Sequence, residues 1–273
     1  MSSGTGGSTT AHPHVPQGAG KAQQRARRIV RPIANRLWDF QLEGFDRLPA
    51  SGPAILCPNH VSFLDSAFLM LQVPRNISFV GKAEYMDSWK TKVLFPMMGM
   101  IPIDRSGGEK SQAALEVAEA VLRRGELFGI FPEGTRSRDG VLCKGRTGAA
   151  RLALKVGCPI FPVGVTGTRE IQPPDAKAPK LFKSATIRIG RPIDVQRYLS
   201  RADDHRVLRQ ITDELMFEIR ELTGQEYRNV YAGKTADTEP TVVAKVAHLG
   251  DRSSPGADAP STAAAMAGST PAA

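Results

Sequence analysis

Residues 53–65 read Pro-Ala-Ile-Leu-Cys-Pro-Asn-His-Val-Ser-Phe-Leu-Asp. The run Ala54-Ile55-Leu56-Cys57 is apolar at every position, so neither face suits water. Pro53 precedes it and Pro58-Asn59 closes it. A short, uniformly apolar run ended by turn residues predicts a strand buried on both sides, as in a parallel sheet covered by helices. Five more short apolar runs follow at 77–81, 100–103, 127–131, 159–165 and 185–189. Helical patterns fit between several of them. Residues 109–124 carry Ala114, Ala118, Val121 and Leu122 on one stripe, with Gly125 just past the end. Residues 147–156 open on Thr147 and stop before Gly157, and residues 203–222 align Leu208, Ile211, Leu215, Ile219 and Leu222 before Gly224. These are start and stop signals of amphipathic helices. Strands alternating with helices predict an α/β fold: a mixed, largely parallel sheet flanked by helices, with working groups on loops at the strand ends.

Outward from that centre the composition changes. The chain has 273 residues, 41% apolar and 23% charged, which suffices for one large domain at about 48–235. Residues 1–20 contain no Asp, Glu, Lys or Arg, and residues 253–273 are almost wholly Ala, Gly, Pro, Ser and Thr. Both ends, 1–20 and 236–273, are expected to be disordered. The first twenty residues lack the basic and apolar regions of a secretory signal. Cys57, Cys143 and Cys158 lie far apart and form no CxxC pair, which favours a reducing compartment.

The formal net charge of +9 calls for anionic partners. Residues 21–36 hold six basic residues and no acid. With Ile29, Val30, Ile33, Leu37, Trp38 and Phe40 they make a basic amphipathic segment over 21–47, started or kinked by Pro32. One reading lays it on an anionic membrane with Trp38 and Phe40 at the headgroup boundary. The other packs its apolar stripe on the main domain. The two are compatible. No apolar run approaches the length of a spanning helix, so any membrane association is expected to be peripheral.

Two constellations carry chemistry. His60 and Asp65 are types that form a general base: the carboxylate holds one ring nitrogen and the other takes a proton. At a spacing of five they sit about 140° apart on an ideal helix, so they meet only across a turn or a helix start. A surface His beside a helix-capping Asp is the alternative. After the apolar run at 127–131, Phe131-Pro-Glu-Gly-Thr-Arg-Ser137 presents Glu133 and Arg136 at a strand end, with Arg136 suited to a phosphate. Arg105 ends the 100–103 run in the same manner.

Taken in order, the blocks at 59–65, 99–105 (Gly-Met-Ile-Pro-Ile-Asp-Arg), 131–137 and 160–165 (Ile-Phe-Pro-Val-Gly-Val) resemble those of the glycerophospholipid acyltransferase family. That family includes the 1-acyl-sn-glycerol-3-phosphate acyltransferases. The stretches 79–86, with Lys82 and Glu84, and 144–153, with Lys144 and Gly145, are similar to family text as well. The resemblance covers about residues 48–195. It implies His60 as general base and Asp65 as its orienting partner. It also implies an acceptor site lined by Gly99, Arg105, Glu133, Gly134 and Arg136, substrate contacts from Asn59, Thr135 and Lys144, and Pro162 shaping the pocket near the acyl donor. The implied reaction carries an acyl group from acyl-CoA or acyl carrier protein to lysophosphatidic acid, at the cytoplasmic face of a membrane. Another lysophospholipid or a glycerol phosphate acceptor, or a non-catalytic membrane-binding module, is the alternative.

Other motifs are weaker. Residues 140–147 approach a P-loop, but Arg146 stands where Lys is required and no strand precedes. Cys57 and His60 have CxxH spacing without a second pair, so no metal is implied. Aromatic residues are only 6%, which disfavours nucleic acid as a partner. No GxSxG elbow occurs, so no serine nucleophile is expected. No cofactor is implied.

Overall fold

The computed structural model describes residues 19–82, 99–103 and 108–233. The tails expected at 1–20 and 236–273 fall, except for 19 and 20, outside these residues, as do Glu84 and Arg105. Within them, β2 (Ala54–Pro58) is buried at all five positions, because it runs through the middle of a seven-stranded sheet with helices on both faces. The other strands are β1 (Asp39–Glu43), β3 (Ile77–Lys82), β4 (Met100–Ile103), β5 (Leu127–Gly129), β7 (Ile160–Thr166) and β8 (Ser184–Ile189), in the spatial order β1-β8-β7-β2-β5-β3-β4. Only β7 and β8 pair antiparallel. The sheet is therefore the mixed, largely parallel one that the apolar runs predict.

Alternation along β2 divides the core into two layers. Ile55 and Cys57 face a cluster with α3 (Gly108–Arg123), α4 (Gly148–Val156) and α6 (His205–Thr223). Ala54 and Leu56 face Phe68, Leu69 and Met70 of α2 (Leu64–Gln72). Helix ends follow the sequence signals in part: Gly157 and Gly224 end α4 and α6 in the left-handed conformation, and the Asp204 side chain accepts from the Arg206 N–H at the start of α6, but Thr147 stands at the start of α4 without a side-chain cap bond. A two-stranded ribbon of β6 (Leu142–Cys143) and β9 (Tyr227–Arg228) ties residues 225–231 to the loop after β5.

The amphipathic segment differs from its expected form. Helix α1 spans Ala19–Leu37 with Pro32 inside it, and residues 39–43 are the edge strand β1, paired parallel with β8. Asp-Phe-Gln-Leu-Glu alternates with period two, which is strand patterning. Trp38 and Phe40 are half-buried and pack against the core. Their rings lie 5.3 Å and 4.8 Å from that of Phe68, and Trp38 Nε1–H donates to Lys180 O. Helix α1 is keyed to the domain by side chains. Gln23 exchanges two hydrogen bonds with the Ile77 backbone, while Arg27 donates to the carbonyls of Val73 and Arg75 and to Asn76 Oδ1. Its other side exposes Ile29 (65%) and Ile33 (55%) among arginines. No helix among the described residues is long and apolar enough to cross a membrane.

At the end of β7 the chain turns sharply through Gly167, whose φ is +84°. A Cβ there would lie 2.3 Å from Ser184 O, a backbone atom that cannot swing away. Gly167→Ala combines left-handed strain with this clash, and is expected to cost about 2 kcal/mol or more. A melting point unchanged within 1–2 °C, against an expected drop of roughly 4–8 °C, would contradict the turn.

Candidate functional site

The site forms where β2 and β5 end. Residues 59–63 turn out of β2, and Asp65 sits in the first turn of α2. This is the turn-to-helix geometry that the spacing of five demands. His60 Nδ1 lies 2.9 Å from Asp65 Oδ2, and the same oxygen accepts the N–H groups of Val61 and Ser62, each at 2.8 Å. Asp65 Oδ1 accepts the Thr168 hydroxyl at 2.6 Å. Asp65 is fully buried, whereas the His60 side chain keeps 17% exposure. With Nδ1 occupied, Nε2 is the ring nitrogen left for a reactant. Phe131 stacks on the ring at 3.7 Å between centroids and 15° between planes, which covers one face and fixes its rotation.

Glu133 lies beneath this arrangement. It is fully buried; Oε1 accepts the His60 N–H at 3.0 Å and Oε2 the Cys143 N–H at 2.9 Å. Ser137 N–H donates to His60 O at 2.7 Å and Arg146 N–H to Pro132 O. The loop after β5 is thereby laced to the loop after β2. Burial pushes the Glu133 carboxyl up to about 7, against the two backbone donors that pull it down. Beside His60, a groove of about 190 Å³ is lined by Val61, Thr135, Arg136, Ser137, Arg138, Pro174 and Asp175. Thr135 and Arg136 are exposed there. Arg138 is paired with Asp175, whereas Arg136 makes no ion pair among the described residues.

The remaining expected residues divide. Gly134, with φ +80°, lets the loop turn past the Arg146 side chain. Lys144 and Arg146 lie 5.5 Å and 5.2 Å from the Tyr231 ring at the flank of the site. Four residues expected to line the pocket face elsewhere. Asn59 is buried and spends its amide on Val165, donating to O and accepting from N–H, so it locks β2 to β7. Glu133 supports backbone and is not exposed to the groove. Pro162 pairs with Cys57 inside the sheet, where its carbonyl accepts the Gly190 N–H. Gly99 precedes β4, whose Met100 stands level with Phe79 and, through it, with Gly129 and Leu56. Gly99 itself is buried, and a side chain there would meet Gln23 of α1 and the Ile77 carbonyl; it does not line the groove. Phe131 and Thr168 touch the His60–Asp65 pair without a sequence signal for either contact.

Among the described residues no cluster of His, Cys, Asp and Glu is arranged to hold a metal ion. A half-buried imidazole with Nε2 left open, a buried carboxylate behind Nδ1 and a nearby groove lined by Arg136 can deprotonate an alcohol carried on an anionic substrate.

Residues 39–166 match the family model described as Acyltransferase. The chain is 30% identical over 157 residues, 57% of its length, to the chloroplastic 1-acyl-sn-glycerol-3-phosphate acyltransferase LPAT1 of Arabidopsis thaliana. Over 125 residues, 46% of its length, it is 29% identical to the 1-acyl-sn-glycerol-3-phosphate acyltransferase of Borreliella burgdorferi. It spans about half of these relatives, 44% of the first and 50% of the second. The crystal structure of the 1-acyl-sn-glycerophosphate acyltransferase PlsC from Thermotoga maritima superposes with a TM-score of 0.59 at 23% identity, covering 74% of this chain and 81% of that one, and so shares the fold.

The raised Glu133 carboxyl sets a pH dependence. Its folded value, about 7, lies above the ordinary 4.5, so the unfolded chain binds fewer protons between those pH values and stability falls as pH rises through that window. Wild type is expected to lose melting temperature relative to Glu133→Gln between pH 5 and pH 8. Parallel curves for the two proteins would contradict the assignment.

Proposed function

We propose, from the match of residues 39–166 to the family model described as Acyltransferase, that the protein transfers a fatty acyl group from a thioester to the free hydroxyl of 1-acyl-sn-glycerol-3-phosphate. The observation that carries this reading is the His60 ring, tethered through Nδ1 to a buried carboxylate, with the next residue, Val61, lining the same groove as Arg136. Nε2 takes the proton of the acceptor hydroxyl as that oxygen attacks the thioester carbon. The tetrahedral adduct then collapses, the C–S bond breaks and the thiolate leaves, recovering the proton from His60. Asp65 stabilises the imidazolium that forms between these steps. Arg136 receives the acceptor's phosphate and brings the hydroxyl to the base, so that much of the acceleration comes from proximity. The donor is acyl-CoA or acyl carrier protein. The thioester is already activated, so the mechanism invokes no cofactor and no metal.

Helix α1 supports a peripheral seat on the cytoplasmic face of the membrane. Its exposed Ile29 and Ile33 stand among Arg25, Arg28 and Arg36, so the face offers apolar insertion together with attraction to anionic headgroups.

Purified protein given palmitoyl-CoA or acyl carrier protein thioester with lysophosphatidic acid is expected to release thiol. His60→Ala should lower that rate by about 10³-fold or more, and wild-type turnover in this variant would remove the assigned base. Arg136→Ala is expected to raise KM for lysophosphatidic acid by about tenfold while leaving that of the donor nearly unchanged. An unchanged acceptor KM would place the phosphate elsewhere. Ile29→Ser with Ile33→Ser should weaken binding to vesicles containing phosphatidylglycerol by about tenfold or more. Undiminished binding would move the membrane face away from α1.

A further inference from the structure

Thr168 is fully buried in the turn after β7 and starts the short helix α5 (Thr168–Ile171). Residues 167–172 lie beyond the matched family segment, yet they touch the site at three points. The Thr168 hydroxyl donates to Asp65 Oδ1 at 2.6 Å, Gln172 O accepts the Ser62 hydroxyl at 3.1 Å, and Arg169 Nη2 donates to Arg138 O at 2.9 Å. The two Asp65 oxygens are unequally served. Oδ2 is shared by His60 and two backbone N–H groups, whereas Thr168 is the hydrogen-bond donor to Oδ1 among the described residues. A carboxylate with no solvent exposure has no water to replace a lost donor.

We propose that Thr168 is a positioning residue for acyl transfer: through Asp65 Oδ1 it fixes the carboxylate plane that orients His60 and keeps the His60–Asp65 pair from holding its proton too tightly. The proposal rests on the acyl-transfer reading of the same site. Gly167 makes the geometry attainable, because its left-handed turn against the β8 backbone brings Thr168 to Asp65. A hydroxyl hydrogen bond draws charge from the carboxylate. Without it, that charge acts more fully on the imidazolium, and the pair gains proton affinity. Thr168 itself touches no reacting atom.

The test compares Thr168→Val, nearly isosteric but without a hydroxyl, with Thr168→Ser, which keeps it. Thr168→Val is expected to lower kcat roughly 10–100-fold with the acceptor KM changed less than about threefold. The acid limb of its kcat/KM profile should move to higher pH by about half a unit or more. Thr168→Ser should recover kcat to within about threefold of wild type. If Thr168→Val does not fold, Thr168→Ala replaces it with the same expectations. Wild-type kcat with an unmoved limb in the hydroxyl-free variant overturns the proposal, as does a serine variant equally impaired. A second readout needs no turnover: diethyl pyrocarbonate modifies neutral imidazole, and peptide masses isolate His60 from the other four histidines. Its modification midpoint should rise in Thr168→Val. If wild type releases no thiol, the acyl-transfer reading fails while this midpoint still decides the role of Thr168; an unshifted midpoint overturns the proposal.

Discussion

The carboxylate of Asp65 is the group around which the site is built. A fully buried anion is tolerable only when its lone pairs are occupied, because desolvation otherwise costs several kcal/mol (about 3–5 when one partner is removed). Here four donors meet it: the His60 ring, the N–H groups of Val61 and Ser62, and the Thr168 hydroxyl. Two of these are backbone groups that wind the chain from β2 into α2. Folding that turn and aiming the imidazole are therefore one event, and the ring is positioned before any substrate arrives.

A second buried carboxyl extends the order outward. Glu133 takes backbone N–H groups from both His60 and Cys143, so the loop carrying Arg136 cannot drift from the loop carrying His60. The site thus has two acids with different work. Asp65 acts on the ring, and Glu133 acts on the backbone that carries the ring and the groove. Phe131 completes the arrangement by stacking on the half-buried imidazole, which limits water without adding a competing polar contact.

The central strands were legible because a strand buried on both faces needs apolar residues nearly throughout, and β2, β5 and all but the last residue of β7 are buried in that way. The edge strand β1 was hidden. Its residues follow a basic helix directly, and with one side of the pairing open they are mostly exposed. Helix α2 was also hidden, because Leu64–Gln72 is apolar on nearly every side and lacks a stripe. In the site, the turn-mediated meeting of His60 with Asp65 was readable from their spacing. The burial of Glu133 was not: Pro-Glu-Gly reads as an exposed turn, and only the third dimension brings two N–H groups to its oxygens. Asn59 and Pro162 were misplaced for a related reason. A local motif shows which residues occur together but not which side of the sheet each faces. Thr168 lies 103 residues from Asp65, and no local pattern encodes such a pairing.

The central claim is that Asp65 holds the proton on Nδ1 and leaves Nε2 bare to act as base. Nitrogen NMR of ring-labelled histidine, assigned by comparison with His60→Gln, reads this directly at a pH above the ring's titration. The account predicts that His60 carries its proton on Nδ1, with the proton lost from that site in Asp65→Asn. A His60 ring protonated on Nε2 in the wild-type protein would contradict it.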